Sequence, residues 1–468
     1  MIWHKRGSML AGLLCAVLAS CSVGPAYRRP DIPLPAQWRE PPSGTDSAAF
    51  ASVWPAADWW RGFASARLDE LIAEAQQSND DIAGAIARVQ EADAQARIAG
   101  AALLPSVDLG ATATRERAPV SGVGPEVYNV FNPQVSASYE LDFWGKNRAL
   151  HASALATAAA SRFDRETVAL TVISSVAGTY FQALELRDRI EVAQHNLENG
   201  QSILRGLKLE QTAGTATGLD VAQQETTVAV LNAAIPPLLL QFRQTANALA
   251  VLVGKTPESL DIEAGSLTAL SAPAVGVGLP SQLLSRRPDV AEAEQQLIAA
   301  NADITVARAA FFPSIDLTAS GGYESAALST LVNPYSRVYA LTGGITQAIF
   351  HGGALRGQYQ YSKARYTELL STYHKTVLTA FSNAESALVA ARQTAEQQQR
   401  QAEAVRTAQR AFEFAKAQMA AGTVSVLTVL NTENALFTAQ DTLVQVQYSH
   451  LQSLVDLFTA LGGGWHQG

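Results

Sequence analysis

The chain has 468 residues, of which 48% are hydrophobic but only 7% aromatic and 16% charged, a balance that suits long helices with small contact residues better than bulky aromatic cores. Its length allows two or three domains, or one large internally repeated one. The formal net charge of −8 and the lack of any basic run speak against a nucleic-acid partner, and the seven scattered His residues form no HxxxH pair and no metal-ligand cluster with Cys.

Residues 1 to 21, MIWHKRGSMLAGLLCAVLASC, place Lys5 and Arg6 ahead of an apolar run from Met9 to Ala19. This is the layout of an export signal, and the run is too short to span a bilayer as a helix. Its end, Leu18-Ala19-Ser20-Cys21, resembles the lipobox of bacterial lipoproteins. That resemblance implies a signal peptide of residues 1 to 20 and a covalent S-diacylglycerol and N-acyl (palmitate-type) lipid on Cys21. An ordinary cleaved signal with an incidental Cys is the competing reading. The only other cysteine, Cys15, falls inside the removed segment, so the mature chain can form no internal disulfide. Ser22, rather than Asp, implies sorting to the outer membrane by the same resemblance, and each buried methylene of the lipid adds about 0.8 kcal/mol of anchoring. A lipid-anchored extended segment, 21 to 65, follows.

Apolar residues then recur near every third or fourth place, as in Leu68, Leu71, Ile72 and Ala75, and predict a helix over about residues 66 to 101. Pro105 ends that helix in this reading. Strict alternation comes next, with Val107, Leu109, Ala111 and Ala113 opposing Ser106, Asp108, Gly110 and Thr112, the pattern of a strand with two unlike faces. A Gly/Pro/Asn-rich loop from 118 leads to a second alternating run, Val135, Ala137, Tyr139, Leu141 and Phe143 against Gln134, Ser136, Ser138, Glu140 and Asp142, closed by Gly145. Helical patterns run from about 147 to 212 and, past the turn Ala213-Gly214-Thr215, from about 219 to 253.

The same plan is then repeated. A helix is predicted over about 288 to 310, ended by Pro313, and Ile315, Leu317, Ala319 and Tyr323 alternate with Ser314, Asp316, Thr318 and Glu324. A loop from about 325, a less regular strand over 341 to 350, the turn Gly352-Gly353, and helices over about 355 to 420 and 426 to 461 follow, the last two joined at Ala421-Gly422-Thr423. AALLPSVDLGATA (101 to 113) and AAFFPSIDLTASG (309 to 321) share seven of thirteen residues, and AGTATGLDV (213 to 221) and AGTVSVLTV (421 to 429) share five of nine, all at a constant offset of 208. A duplication is implied, with a first repeat over 66 to 267 and a second over 268 to 468.

Runs of about ten alternating residues match the 9–11 of a tilted transmembrane strand. A half-buried soluble hairpin would alternate too; the export signal and helices of roughly 100 Å tip the balance. Four strands cannot close a barrel, and lipid cannot satisfy an open edge. Two chains would give eight strands with a filled interior, and three would give twelve around a passage. Small residues on the polar side, such as Gly110, Gly322 and Gly344, favour twelve. The stretch QTAEQQQRQAEAVRTAQRAFEFAKAQ (393 to 418) is polar over wide arcs, which fits coiled-coil helices with one face in water better than a solid bundle.

Four segments carry a resemblance to a known family: CSVGPAYRRP (21 to 30), DWWRGFASARLDELIAEAQQSND (58 to 80), SRRPDVAEAEQQLIAANADITVARAAFFPSIDL (285 to 317) and the two Ala-Gly-Thr turns. Together they are similar to the outer-membrane efflux lipoproteins of the TolC superfamily, the NodT family that serves resistance-nodulation-division pumps. The resemblance implies a mixed α and transmembrane β fold, a homotrimer with a shared 12-stranded β-barrel and a long periplasmic α-helical barrel. It also implies a passive exit duct for drugs or small solutes in a tripartite pump, located in the outer membrane and reaching into the periplasm. The implied partners are outer-membrane lipids, a periplasmic membrane-fusion adaptor and an inner-membrane resistance-nodulation-division transporter.

Two sites carry over by the same resemblance. Gly214, Thr215, Leu219, Gly422, Thr423 and Leu427 stand at the adaptor-docking tips, although both glycines also suit plain helix C-caps. Asp220, Thr428 and Asn431 stand at the periplasmic gate, with Thr428 and Asn431 where the family carries acids; Asp220 would equally serve as a helix N-terminal acid. The exit duct of a type I protein secretion system and a non-pore lipid-anchored scaffold are the alternatives. No nucleophile, base and acid set suggests an enzyme, and no cofactor is expected. If Cys21 bears the lipid, Cys21→Ser abolishes incorporation of labelled palmitate, while the chain still fractionates with the outer membrane through its strands.

Overall fold

The computed structural model describes residues 23–33, 35, 37–39, 54–120, 124–262 and 265–465. Cys21 and the export signal lie outside the described residues. The elements in order are α1 (Ala66–Ser78), α2 (Asp80–Ala101), β1 (Ser106–Val120), β2 (Gly124–Glu140), α3 (Lys146–Thr212), α4 (Gly218–Leu252), a single turn α5 (Leu283–Arg286), α6 (Pro288–Ala309), β3 (Ser314–Tyr323), β4 (Arg337–Thr346), α7 (Ala354–Ala420) and α8 (Val426–Ala460).

The long helices fall within a residue or two of their expected bounds, and α3 and α7 are 67 residues each, as α4 and α8 are 35 each. Three expectations need correction. The helix over 66 to 101 is two helices, because Asn79 is extended; its Oδ1 accepts from the Asp81 and Ile82 amides and so starts α2, while its Nδ2 donates to the Leu252 carbonyl. The loop expected from 118 is mostly strand, with β1 and β2 paired up to Val120 and Gly124, since Val127, Tyr128 and Val130 suit a ladder better than their Pro and Asn neighbours suggest. The second-copy return strand is Arg337–Thr346, not 341 to 350, because Gln347 to Phe350 leave the ladder after Thr346 pairs with Ser314.

The chain divides into two compact units. One comprises the described residues up to Asp31, Arg88–Arg162 and Glu292–His374, and contains a single antiparallel sheet in the order β1-β2-β3-β4. Its register stacks like on like. Leu109 faces Val135, Ala137 faces Val107 and Ala319, and Leu317 lies between Tyr139 and Gly343; one step along, Ser138 lies between Ser106 and Thr318, and Asp316 faces Glu140. A short N-terminal strap packs on α6 in this unit, where Arg29 forms a forked ion pair with Glu294 and Asn301 donates to the Pro25 carbonyl.

The other unit comprises the described parts of 32 to 87, 163 to 291 and 375 to 468. Leu68, Leu71, Ile72 and Ala75, the expected stripe, are fully buried there. Trp59 stacks on Phe458 with ring centres 4.9 Å apart, and Phe63 meets Phe181 edge to face at 4.9 Å. The duplication is visible as a repeated close contact. Gly254 after α4 (φ +70) and Gly462 after α8 (φ +91) both hold left-handed backbone, and a Cβ on either would fall 2.2 Å from the Ser78 carbonyl oxygen or 2.1 Å from that of Arg286. All four positions are related by the offset of 208.

Any side chain at these glycines must therefore push backbone as well as adopt a conformation L-residues resist. Gly254→Ala and Gly462→Ala are each expected to cost more than the roughly 1–2 kcal/mol of the left-handed backbone alone, read as a lowered Tm of the purified chain in detergent, whereas Gly206→Ala on the open side of α3, where a Cβ meets nothing, leaves it unchanged or raises it.

Candidate functional site

Three places in the fold carry the features expected to matter: the faces of the sheet, the joints where helices hand over to strands, and the turns at the far ends of the long helices. On the sheet, the apolar face is bare. Leu109 is 80% exposed, Leu341 79% and Ile345 73%, and Val107, Val135 and Tyr339 are exposed beside them. The opposite face carries Asp108, Ser136, Thr318 and Thr342, with Gly110, Gly322 and Gly344 among them. Among the described residues, β1 and β4 each have a partner on one side only, so both outer edges keep unpaired backbone donors and acceptors.

At the joints, the prolines do not themselves stop the helices. Helix α2 ends at Ala101 and α6 at Ala309, each in a tight turn: Leu103 and Leu104 donate to the Gly100 and Ala101 carbonyls, and Phe311 and Phe312 to those of Arg308 and Ala309. Pro105 and Pro313 come four residues on and immediately precede β1 and β3. They set extended backbone for strand entry after the turn has already stopped the helix. The return joint of the first copy is built from side chains: Trp144 stacks on Phe312 at 4.7 Å and donates to the Pro313 carbonyl at 2.7 Å. Asp142 accepts from the Asn147 and Arg148 amides and so caps α3. In the second copy the corresponding stretch holds Ile349 and Phe350, both almost fully exposed, and relies on Gly352 and Gly353 (φ +55 and +88).

The far turns repeat one construction. Gly214 (φ +78) and Gly422 (φ +72) are left-handed. The Thr215 amide and hydroxyl both donate to the Glu210 carbonyl, at 2.9 and 3.0 Å, and those of Thr423 both donate to Gln418, at 3.0 and 3.0 Å. This satisfies one carbonyl in the last turn of each of α3 and α7 and explains the Gly-Thr pair. Leu219 and Leu427 follow with exposed side chains. Asp220 belongs to a reciprocal capping box. Its carboxylate accepts from the Thr217 amide at 2.8 Å and hydroxyl at 2.6 Å, while its own amide donates to Thr217. The Thr217 hydroxyl first, and then its amide, hold that carboxyl below the usual aspartate range. Thr428, the equivalent residue, lacks such a box: Ser425 gives α8 no side-chain cap, and Thr428 and Asn431 are exposed.

The sequence reading did not single out Thr217, although Thr-x-x-Asp is a readable capping signal. It also passed over Arg189, which joins α3 to α8 by donating to Asp441 at 2.7 Å and to Glu185 at 3.0 Å. Burial pushes the Glu185 carboxyl up, against the pull of Arg189. The Arg287-Pro288-Asp289-Val290 motif proves to be packing machinery. Arg287 holds Asp289 and donates to the Ala460 carbonyl at 2.8 Å, closing the C-terminal end of α8 beside Gly462.

Thr217→Ala removes the box and is expected to destabilise the start of α4 by about 1 kcal/mol, seen as faster amide exchange over residues 218 to 225. The Asp220 carboxyl is depressed in the folded state, so its contribution is present above the ordinary aspartate range and is lost as pH falls below it. The exchange rates of the two proteins therefore draw closer in strong acid, and the bond from the Asp220 amide to the Thr217 hydroxyl keeps them apart.

The model of the outer membrane efflux protein family matches residues 71–255 and again 279–463. The chain is 40% identical over 460 residues to the pyoverdine export outer membrane protein OpmQ of Pseudomonas aeruginosa, covering 96% of this chain and 95% of that one. It is 34% identical over 460 residues to the solvent efflux pump outer membrane protein SrpC of Pseudomonas putida, covering 96% of each. Among solved structures, the Campylobacter jejuni CmeC outer membrane channel superposes with a TM-score of 0.89 at 25% identity, over 96% of each chain.

Proposed function

Because the chain belongs to the outer membrane efflux protein family, we propose that three copies pool their sheets into one 12-stranded barrel and act as the passive exit duct of a tripartite pump. The chain is an outer membrane efflux channel of TolC-like fold that reaches into the periplasm. The observation that supports three-copy closure is the sheet itself. Four strands present a bare apolar face to lipid and small polar residues to the other side, and leave β1 and β4 open at the edges. In hydrocarbon every open edge must find a partner, and another copy of this chain offers the matching β4 or β1. Twelve strands leave a passage where eight would be filled by side chains.

In this reading the extended segment 21 to 65 is tethered through the lipid on Cys21, and the two repeats, 66 to 267 and 268 to 468, each supply one hairpin to the barrel and one pair of long helices to the periplasmic part. The turns at Gly214, Thr215 and Leu219 and at Gly422, Thr423 and Leu427 dock a periplasmic adaptor, which links the duct to an inner-membrane resistance-nodulation-division transporter. The exposed Leu219 and Leu427 give that contact its apolar anchor. No chemistry is asked of the chain, and no cofactor beyond the covalent lipid is needed. Relatives whose names specify pyoverdine, toluene and solvents align over 96% of this chain, which favours small solutes as cargo and selection upstream of the duct.

Asp220 contributes three carboxylates to the gate of a trimer, each already engaged by Thr217. With Thr428 and Asn431 at the second-copy positions, closure rests on hydrogen bonds and packing more than on an acidic ring. Well-folded trimers are expected to show stepwise conductance in planar bilayers, rising after Asp220→Ala. No conductance from such trimers at acid or neutral pH would favour the lipid-anchored scaffold instead.

A further inference from the structure

One polar cluster in the second unit has no part in the duct described above. Glu433 lies on α8 in line with Val426, Val429 and Leu436, all buried, so an acid occupies a core position of the helix seam. It is 2% exposed, and neither carboxylate oxygen has a hydrogen-bond partner among the described residues. Gln224 of α4 is buried alongside. Its Nε2 donates to the Gly200 carbonyl of α3 at 2.8 Å, and its Oε1 is unpaired. Gly200 makes the space, since a Cβ there would lie 3.2 Å from Leu231 Cδ1, 3.4 Å from Gln224 Nε2 and 3.5 Å from Glu433 Oε1. Glu225, the residue 208 positions before Glu433, is half exposed and paired with Lys208 at 2.8 Å. The burial of Glu433 is therefore particular to the second copy.

An ionised carboxylate is poorly tolerated in such a place, whereas the neutral acid carries an O–H that can use the open acceptor of the same amide, Gln224 Oε1. Burial pushes the Glu433 carboxyl up from its ordinary value, with the Gln224 amide and the Lys416 ammonium pulling back less strongly. The charges on the helices packed around it are few. On α7, Lys416 lies over the Phe412 ring at 5.3 Å. On α3 and α4, Lys208 and Glu225 satisfy each other, and His195 and Glu198 are turned to solvent.

We propose that Glu433 is a proton-controlled latch of the tip hairpins: as the neutral acid it holds α8 closed on α3 and α4, and when its proton leaves to water the new charge loosens them. A carboxyl raised in the packed state stabilises packing fully below the ordinary glutamate range, and that contribution is lost as pH rises through the raised value. The tip is thus tightest in acid. What this means for passage rests on the channel reading, but the latch is a property of helix packing and is tested as such.

The full chain in detergent carries Val221→Cys, a buried probe on α4, or Ala222→Cys, its exposed neighbour. Maleimide labelling of the probe peptide is read by mass spectrometry, and the ratio of the two rates cancels the ionisation of the thiol. The ratio is expected to climb from the ordinary glutamate range upward by as much as tenfold per pH unit, the linkage limit for one proton, and then to level off. Adding Glu433→Gln, or Glu433→Met should the amide fold poorly, holds the ratio at its acid value throughout. A flat profile with Glu433 in place, or variants that follow the unmodified slope, overturns the latch. A flat ratio from trimers that conduct normally sinks the latch alone, and a rising ratio from trimers that never conduct sinks the channel reading alone.

Discussion

Backbone hydrogen bonding in a medium without water is the constraint from which the rest of this molecule follows. A strand entering hydrocarbon must pair on both sides, and the four strands among the described residues cannot meet that demand by themselves. Each other feature answers to it. The alternation of Leu109, Leu317 and Leu341 with Asp108, Thr318 and Thr342 gives the sheet one apolar and one polar face. The second hairpin, supplied by duplication, doubles the number of strands in the sheet. Helices α3 and α7 begin within a few residues of the ends of β2 and β4.

Legibility followed periodicity. The alternation in residues 106 to 113 and 314 to 319, and the helical repeat around Leu68, Leu71, Ile72 and Ala75, are patterns of a single chain's local geometry and could be read directly. So could the duplication, because the offset of 208 survives at Pro105 and Pro313, at Gly214 and Gly422, and at Gly254 and Gly462. The break at Asn79 was hidden because its cause is partly remote: the side chain that starts α2 also binds the Leu252 carbonyl. The outer halves of β1 and β2 were hidden because Pro125, Asn129, Asn132 and Pro133 read as a loop, yet all sit in a ladder that their cross-strand partners complete.

The candidate site divides in the same way. The Gly-Thr turns were found as repeats, and their mechanism, a left-handed Gly followed by a Thr that gives two hydrogens to one carbonyl, became clear only in three dimensions. Asp220 was found by resemblance, and the capping box with Thr217 supplies a local physical reason for an acid there. Gln224 escaped altogether, and Glu433 counted only as the repeat match of Glu225. In the sequence they look like the polar residues that cover any water-facing helix, and their burial beside Gly200 shows only in three dimensions.

The two far turns of each chain are alike in backbone and unlike in cap, one closed by Thr217 and Asp220 and the other left with an uncapped Ser425. In the proposed ring of three copies they would alternate, and the rim would be sixfold in outline and threefold in chemistry. A docking partner assembled from identical subunits would meet two kinds of berth, one stiff and anionic, the other softer and neutral. Occupancy of such a rim would fill in two stages, and a change confined to one repeat could tune half the berths while leaving the other half untouched.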